Sequence, residues 1–350
     1  MNVKYLIIGQ GLAGSLLAFE LLKRGDDFLL MDDAEKSASS RVALGGFTAV
    51  YGKRMVANEE MNNFISIAQE TYAEIENSIQ QKVFFKHHTY QSFATETEKN
   101  EFDTYSVNQS LNDIINLHPE EQAYIRNELG AYEIQISGRL DCLSLIMGIT
   151  KLLKNKNKYR EETFMHNQLI GNGDGGWNYK NMHFENIIFC EGYKNIDNPF
   201  FNWLPFAPSR GVVLDIKAPL LGQNKILKKG ITLIPADQGM FKAGSTYERE
   251  DLSPQSDAAG RKTLEKQLSA MLNCTYEIVK QKSGIRPGTK DRNPVLGSHP
   301  DHPSMYIFNG LGSRGVILAP YFALLLCDFM QKHQEISKKY SVQRFLKDKK

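Results

Sequence analysis

The residues with the clearest chemical meaning are three glycines and an acid. Gly9, Gly11 and Gly14 stand in "IGQGLAG", a G-x-G-x-x-G spacing. In that spacing the first glycine permits a tight turn, the second lets backbone approach a pyrophosphate, and the third lets a helix pack close against a strand. Asp32 closes the apolar run "FLLM", near the distance of about 20 residues at which an acid accepts hydrogen bonds from a ribose hydroxyl. Asp33 beside it is the less favoured candidate for that role. The pattern predicts a bound dinucleotide and leaves NAD and FAD both open; a glycine turn without a ligand is the bland alternative.

Such a site needs a strand, a turn, a helix and a second strand in that order. Residues 3–8 are apolar and rich in strand formers, residues 12–22 carry apolar side chains at helical spacing and end near Gly25, and residues 28–31 form the second run. Further along, residues 58–79 read as a helix with Met61, Phe64, Ile65, Ala68, Tyr72 and Ile75 on one face, and residues 83–94 as strands. A polar, helix-prone stretch at 108–129 precedes a strand at 132–136 and a helix at 141–153. Strands at 163–170 and 177–184 flank "GNGDGG", a hairpin signal, and "NIIFCEG" is an apolar strand running into Gly192. Residues 210–247 read as a meander, 258–272 as a helix, and 305–330 as strand, turn and helix. The mixed order predicts an α/β and α+β chain of two interleaved domains, since no single cut separates them.

Composition excludes several classes. With 350 residues and 41% of them hydrophobic, the chain can bury a large core. A net charge of +2 is too small to imply nucleic acid. Residues 336–350 do carry Lys338, Lys339, Arg344, Lys347, Lys349 and Lys350 against Asp348, a pattern expected of a solvated terminus. Cys142, Cys190, Cys274 and Cys327 form no CxxC pair and are expected to be buried thiols. No apolar run reaches the length of about 20 residues that spans a bilayer, so the expectation is a cytoplasmic protein without a membrane span.

Two further stretches, "SGIRPGTKDRNPVLG" and "MYIFNGLGSRGVILAPYFALLLCDFM", together with "SASSRVALGG", "IIFCEG", "SRGVVLDI" and "GSTY", resemble the D-amino-acid oxidase-like flavoproteins. The resemblance implies FAD as cofactor. It also implies a Rossmann-like FAD-binding domain (1–82, 137–209 and 284–350) interleaved with an antiparallel-sheet substrate domain (83–136 and 210–283). Members oxidise an amine by hydride transfer from the carbon beside nitrogen to the flavin, after which the imine hydrolyses. "GIRPGTKD" is similar to glycine oxidases, whereas "GLGSRG" and "GSTY" resemble the oxidoreductase domain of the bifunctional enzyme that removes a carboxymethyl group from a tRNA wobble uridine. A small amine or amino acid is the expected substrate, and tRNA is the alternative partner.

Carried over by residue, the resemblance gives Arg286 the substrate carboxylate, for which a guanidinium fork is suited, with a structural ion pair as the alternative. Arg314 would reach flavin or substrate, or else face solvent. Gly310, Gly312 and Gly315 would bring backbone N–H groups to the flavin, and Ser39, Ser40, Arg41 and Gly192 would line the cofactor. Thr232 stands where glycine oxidases resemble this chain but carry a tyrosine, which puts one carboxylate contact and glycine itself in doubt. No cysteine lies near "PVLGSHP", so FAD should be held noncovalently. His87 and His88 are expected at the surface, "NPFFNWLPF" in the core, and His299 with His302 in a proline-bound loop that holds no metal.

Overall fold

A computed structural model of the chain describes residues 2–35, 38–50, 59–106, 111, 113–173, 175–253 and 258–348. It opens with strand β1 (Asn2–Ile8), helix α1 (Leu12–Lys23) and strand β2 (Phe28–Asp32). Strand alternation divides their side chains between two cores: Tyr5, Ile7, Phe28 and Leu30 pack on one side, and Leu6, Ile8, Leu29 and Met31 on the other. β1 pairs in parallel with β2 and with Met182–Phe189, which pairs in parallel with Met305–Asn309. Parallel strands buried on both faces explain why these runs are almost wholly apolar.

The first core lies under α1, Glu59–Ile79, Cys142–Asn155 and Gly315–Lys332. Asp141 starts Cys142–Asn155 by accepting from the Ser144 N–H at 3.1 Å. Glu59–Ile79 buries the six residues expected of it, although Asn58 lies outside the described residues. Gly315–Lys332 is the one helix among the described residues long and apolar enough to cross a membrane by length and composition. Its apolar residues from Val316 to Cys327 are largely buried in the first core. Of the cysteines, Cys142, Cys190 and Cys327 are buried and Cys274 only partly; burial pushes the Cys142 thiol up to about 12.

A second sheet runs Glu277–Arg286, Ser209–Lys217, Met240–Gly244, Ile231–Pro235, Lys225–Lys229, His88–Ser92, Ala131–Ile134 and Ile115–Asn116. It is antiparallel except where Lys225–Lys229 runs parallel to His88–Ser92. Helix Ala258–Met271 covers one face, setting Leu264, Leu268 and Met271 against Val212, Leu214, Leu227, Leu233 and Phe241. The opposite face carries Gln91, Val213, Lys228 and Thr232, which line a cavity.

Three local expectations are corrected. The helix anticipated at 108–129 is absent from the described part of that stretch, which forms turns and Ile115–Asn116; the helix lies earlier, at Glu96–Ser106. Residues 163–170 contain a short 3-10 turn, His166–Gln168, with strand beginning only at Leu169. Residues 177–184 are broken after Tyr179 by a two-residue turn, so that Met182–Phe189 is one strand continuing through "NIIF". The "GNGDGG" hairpin pairs Leu169 with Tyr179.

Candidate functional site

The first glycine turn sits at the C-terminal end of β1. Gly9 has φ +97°, and a Cβ there would lie 2.6 Å from the Cys190 carbonyl oxygen, so both backbone conformation and packing exclude a side chain. A Cβ on Gly14 would lie 1.9 Å from the Gly9 carbonyl oxygen, which ties the first turn of α1 to the loop before it. Gly9 and Gly11 line a cavity of about 630 Å³; Gly14 stands behind them. The N-terminal N–H groups of α1 lack partners within the helix. One of them, on Leu12, donates to Ser40 Oγ at 3.0 Å.

Asp32 ends β2 and faces the same cavity. Its carboxylate accepts from the Gln10 N–H at 2.7 Å and the Ala34 N–H at 2.8 Å, and Arg41 Nη2 lies 3.5 Å away. A carboxylate offers about four acceptor sites, so Asp32 is held rigidly and can still accept from a ligand hydroxyl. Asp33 is engaged differently: Lys194 pairs with it at 2.7 Å and with Glu35 at 2.5 Å. Burial works to lower the Lys194 pKa, and the two acids more than offset it, leaving it raised. Ser39 and Ser40, on the short helix Ser39–Val42, and Gly192, with φ +59°, also line the cavity.

The second glycine turn, between Met305–Asn309 and Gly315–Lys332, has φ +76° at Gly310 and +56° at Gly312. Gly312 and Gly315 line the cavity; Gly310 packs away from it, where a Cβ would meet Thr289 Cγ2 at 2.9 Å. Arg314 caps the helix, and its Nη2 donates to the Arg292 carbonyl at 2.6 Å. Arg314 is not among the residues that line the cavity, although its neighbours Ser313 and Gly315 are.

Arg286 ends strand Glu277–Arg286 and does line the cavity. Its Nη2 donates to Ser245 Oγ at 2.5 Å and to the Thr246 carbonyl at 3.2 Å, while Nη1 is buried with no partner. Burial lowers its pKa, and Tyr247, whose ring centre is 5.6 Å away, acts in the opposite sense. The guanidinium is half-buried, but its unused Nη1 donor is buried, and an unpaired buried donor carries a penalty of about 1–3 kcal/mol that an anion on the cavity side would relieve. No carboxylate of the described residues forms an ion pair with it, so the structural alternative lacks its acid. Gly211, on the neighbouring strand, makes room for this placement: a Cβ there would lie 2.0 Å from Arg286 Nη2. Gly211 falls in "SRGVVLDI", but its part in seating Arg286 does not show in the sequence, since the contact joins residues far apart in the chain.

The remaining candidates lie elsewhere. His87 and His88 are off the lining; His88 Nδ1 is 3.4 Å from Glu133. Phe201 and Leu204 are buried in the second core with Phe189 and Ile307. The rings of His299 and His302 stack 4.9 Å apart, and among the described residues no three metal-ligating side chains gather. Thr232 faces the cavity, as does Lys228, which sequence reading passed over.

This geometry fits a dinucleotide on the first-sheet side. It offers two glycine turns, the N-terminus of a helix and an oriented acid at the end of the second strand. Comparison with known proteins agrees. A glycine oxidase of Bacillus subtilis (strain 168) is 28% identical over 104 residues, which is 29% of this chain and 28% of that protein. A tRNA 5-methylaminomethyl-2-thiouridine biosynthesis bifunctional protein of Polaromonas naphthalenivorans is 31% identical over 118 residues, 31% of this chain and 18% of its own length. The chain thus aligns with under a third of either relative. The crystal structure of glycine oxidase from Geobacillus kaustophilus superposes with TM-score 0.81, covering 98% of both chains at 19% identity. The family of FAD dependent oxidoreductases matches residues 4–329, and this chain belongs to it.

Proposed function

We propose that the protein oxidises the C–N bond of a small amino acid or N-substituted amino acid, with FAD held noncovalently by residues 1–82, 137–209 and 284–350. Residues 83–136 and 210–283 shape the substrate side, to which Arg286 is added from just past that boundary at the end of strand Glu277–Arg286. The observation that carries this reading is Arg286, a half-buried cation on the cavity lining whose Nη1 is buried and unpaired. FAD, when bound, supplies a two-electron acceptor for the hydride on the substrate carbon beside nitrogen, and the resulting imine hydrolyses in water.

The residues of the chain do the rest by position and charge. Gly9, Gly11, Asp32, Ser39, Ser40, Gly192, Gly312 and Gly315 would hold the cofactor, with Gly14 and Gly310 keeping the two turns closed and Arg41 steadying Asp32. Arg286 would bind the substrate carboxylate and thereby fix which carbon faces the flavin; orientation of this kind accounts for much of enzymatic rate enhancement. Ile226 and Ile234 line the same wall, and apolar neighbours would strengthen such an ion pair by lowering the local dielectric.

The likeness to the tRNA-modifying protein supports a second reading, removal of a carboxymethyl group from a modified wobble uridine. The basic tail gives it little support: Lys339 pairs with Glu60 at 2.7 Å and Arg344 with Asp291 at 2.8 Å, so part of its charge is already neutralised. Lys349 and Lys350 lie outside the described residues.

Anaerobic titration of the FAD-loaded protein separates the two. Bleaching of the flavin band by a free amino acid, lost in Arg286→Ala, is the expected result. Bleaching only by the modified nucleoside or its tRNA would replace it with the second reading.

A further inference from the structure

The antiparallel-sheet wall of the cavity holds a second cation. Along strand Lys225–Lys229, Ile226 and Lys228 face the cavity while Leu227 packs into the core behind, the alternation a strand imposes. The other two lysines at the ends of this strand are neutralised: Lys225 pairs with Glu133 at 2.5 Å and Lys229 with Glu128 at 2.7 Å. Lys228 has neither a hydrogen-bond nor an ion-pair partner among the described residues. Glu98, which acts on it only at longer range, is committed to Gln91 Nε2 at 2.8 Å and the Ala94 N–H at 2.9 Å. In register beside Lys228 stand Gln91 and Thr232, both on the cavity lining.

Arg286 reaches over Gly211 to Ser245, the residue that follows strand Met240–Gly244. That strand is two places from Lys225–Lys229 in the sheet, a separation of about 10 Å at the usual strand spacing. A monocarboxylate held by Arg286 would leave Lys228 desolvated and uncompensated, and burying an unpaired charge is unfavourable. A ligand with a second anionic group removes that penalty, so the wall discriminates by what it would otherwise leave unpaired.

We propose that Lys228 is a specificity-determining residue that receives a second carboxylate of the substrate, so that the protein prefers amino dicarboxylates to glycine-sized monocarboxylates. This rests on Arg286 binding the first carboxylate. Thr232, in register beside Lys228 and on the cavity lining, would add a hydroxyl donor to the second group.

The test uses the FAD-loaded protein and two kinds of ligand. Anaerobic flavin reduction is followed with glycine and sarcosine against iminodiacetate and both enantiomers of aspartate and glutamate. Binding of the non-oxidisable pair glutarate and butyrate is followed by calorimetry. The expected result is a dicarboxylate preference of roughly 10-fold or more in KM and in glutarate binding. Lys228→Met should raise the dicarboxylate KM by roughly 10- to 100-fold and change the monocarboxylate KM by less than about threefold. Lys228→Arg should keep the preference. Equal use of both classes by the unaltered protein, or a Lys228→Met effect common to both, overturns the inference. Should Lys228→Met not fold, glutarate against butyrate on the unaltered protein decides. Flavin bleached by glycine and spared in Arg286→Ala, with no dicarboxylate preference, removes this inference and keeps the proposed reaction. No bleaching by any amine, with glutarate bound no tighter than butyrate, removes both.

Discussion

The two walls of the cavity are built by different means. On the parallel-sheet wall the recognising groups are backbone, at the turns around Gly9 and Gly312, and carboxylates: Asp32, Asp33, Glu35, Glu162, Glu191 and Asp197 all line it. On the antiparallel wall the recognising groups are the side chains of Arg286 and Lys228, set among Ile226, Thr232, Ile234 and Val213. A wall of backbone donors with an acid for a ribose suits a ligand that is always the same. A wall whose cations are side chains on separate strands can change its ligand by single substitutions. The cofactor side is therefore fixed by conformation, and the substrate side by which residue occupies each inward position.

This contrast predicts how each wall breaks. Arg286→Ala should give the largest effect, lowering kcat/KM for amino-acid substrates by roughly 100- to 1,000-fold with FAD still bound; steady-state kinetics and the flavin absorbance read both. Gly14→Ala acts on the other wall. Alanine is the better helix former, yet its Cβ would lie 1.9 Å from the Gly9 carbonyl oxygen. A loss of about 2–3 kcal/mol in stability together with weakened FAD retention is expected in thermal melts and flavin release.

Gly211→Ala sharpens the comparison, because the atoms it would strike are the movable end of Arg286. It should leave stability within about 1 kcal/mol and raise KM by roughly 10- to 100-fold through displacement of the guanidinium. Equal melting temperatures with unequal KM values would identify a positioning residue. Arg314→Ala should do least. Its hydrogen bond to the Arg292 carbonyl lies off the cavity, so kcat/KM should stay within about threefold and stability fall by about 1 kcal/mol.

What was legible in the sequence follows the same division. The β1, α1, β2 unit could be read because its glycines serve a local turn whose geometry is set within a few residues. Arg286 required the surrounding motif, since an arginine at a strand end has no signature of its own. Lys228 was readable in principle: in "KILKK" the alternation that buries Leu227 turns Lys228 the other way. The missing information was which face of that sheet is enclosed, a property of pairing between distant segments. The role of Gly211 in seating Arg286 was beyond reach for the same reason.

The misplaced helix has a different cause. Glu96–Ser106 buries only Phe102, so it lacks the apolar stripe on which periodicity depends. Its signal is at the start, where the Glu98 N–H meets Thr95 Oγ1 at 3.1 Å and Glu98 Oε2 accepts from Ala94. That T-x-x-E spacing is a capping-box sequence. The turn after Tyr179 places Lys180 at φ +53°, a conformation uncommon for lysine, so the residue type gave no signal of it.

The central claim is that the cationic wall receives the carboxylate of the substrate through Arg286. The direct test is to titrate acetate, a carboxylate without an amine, into FAD-loaded unaltered protein and Arg286→Ala, reading Kd from the perturbed flavin spectrum. The account predicts saturable binding that weakens by roughly 30-fold or more in the variant. An unchanged Kd, with both proteins holding FAD equally, would contradict it.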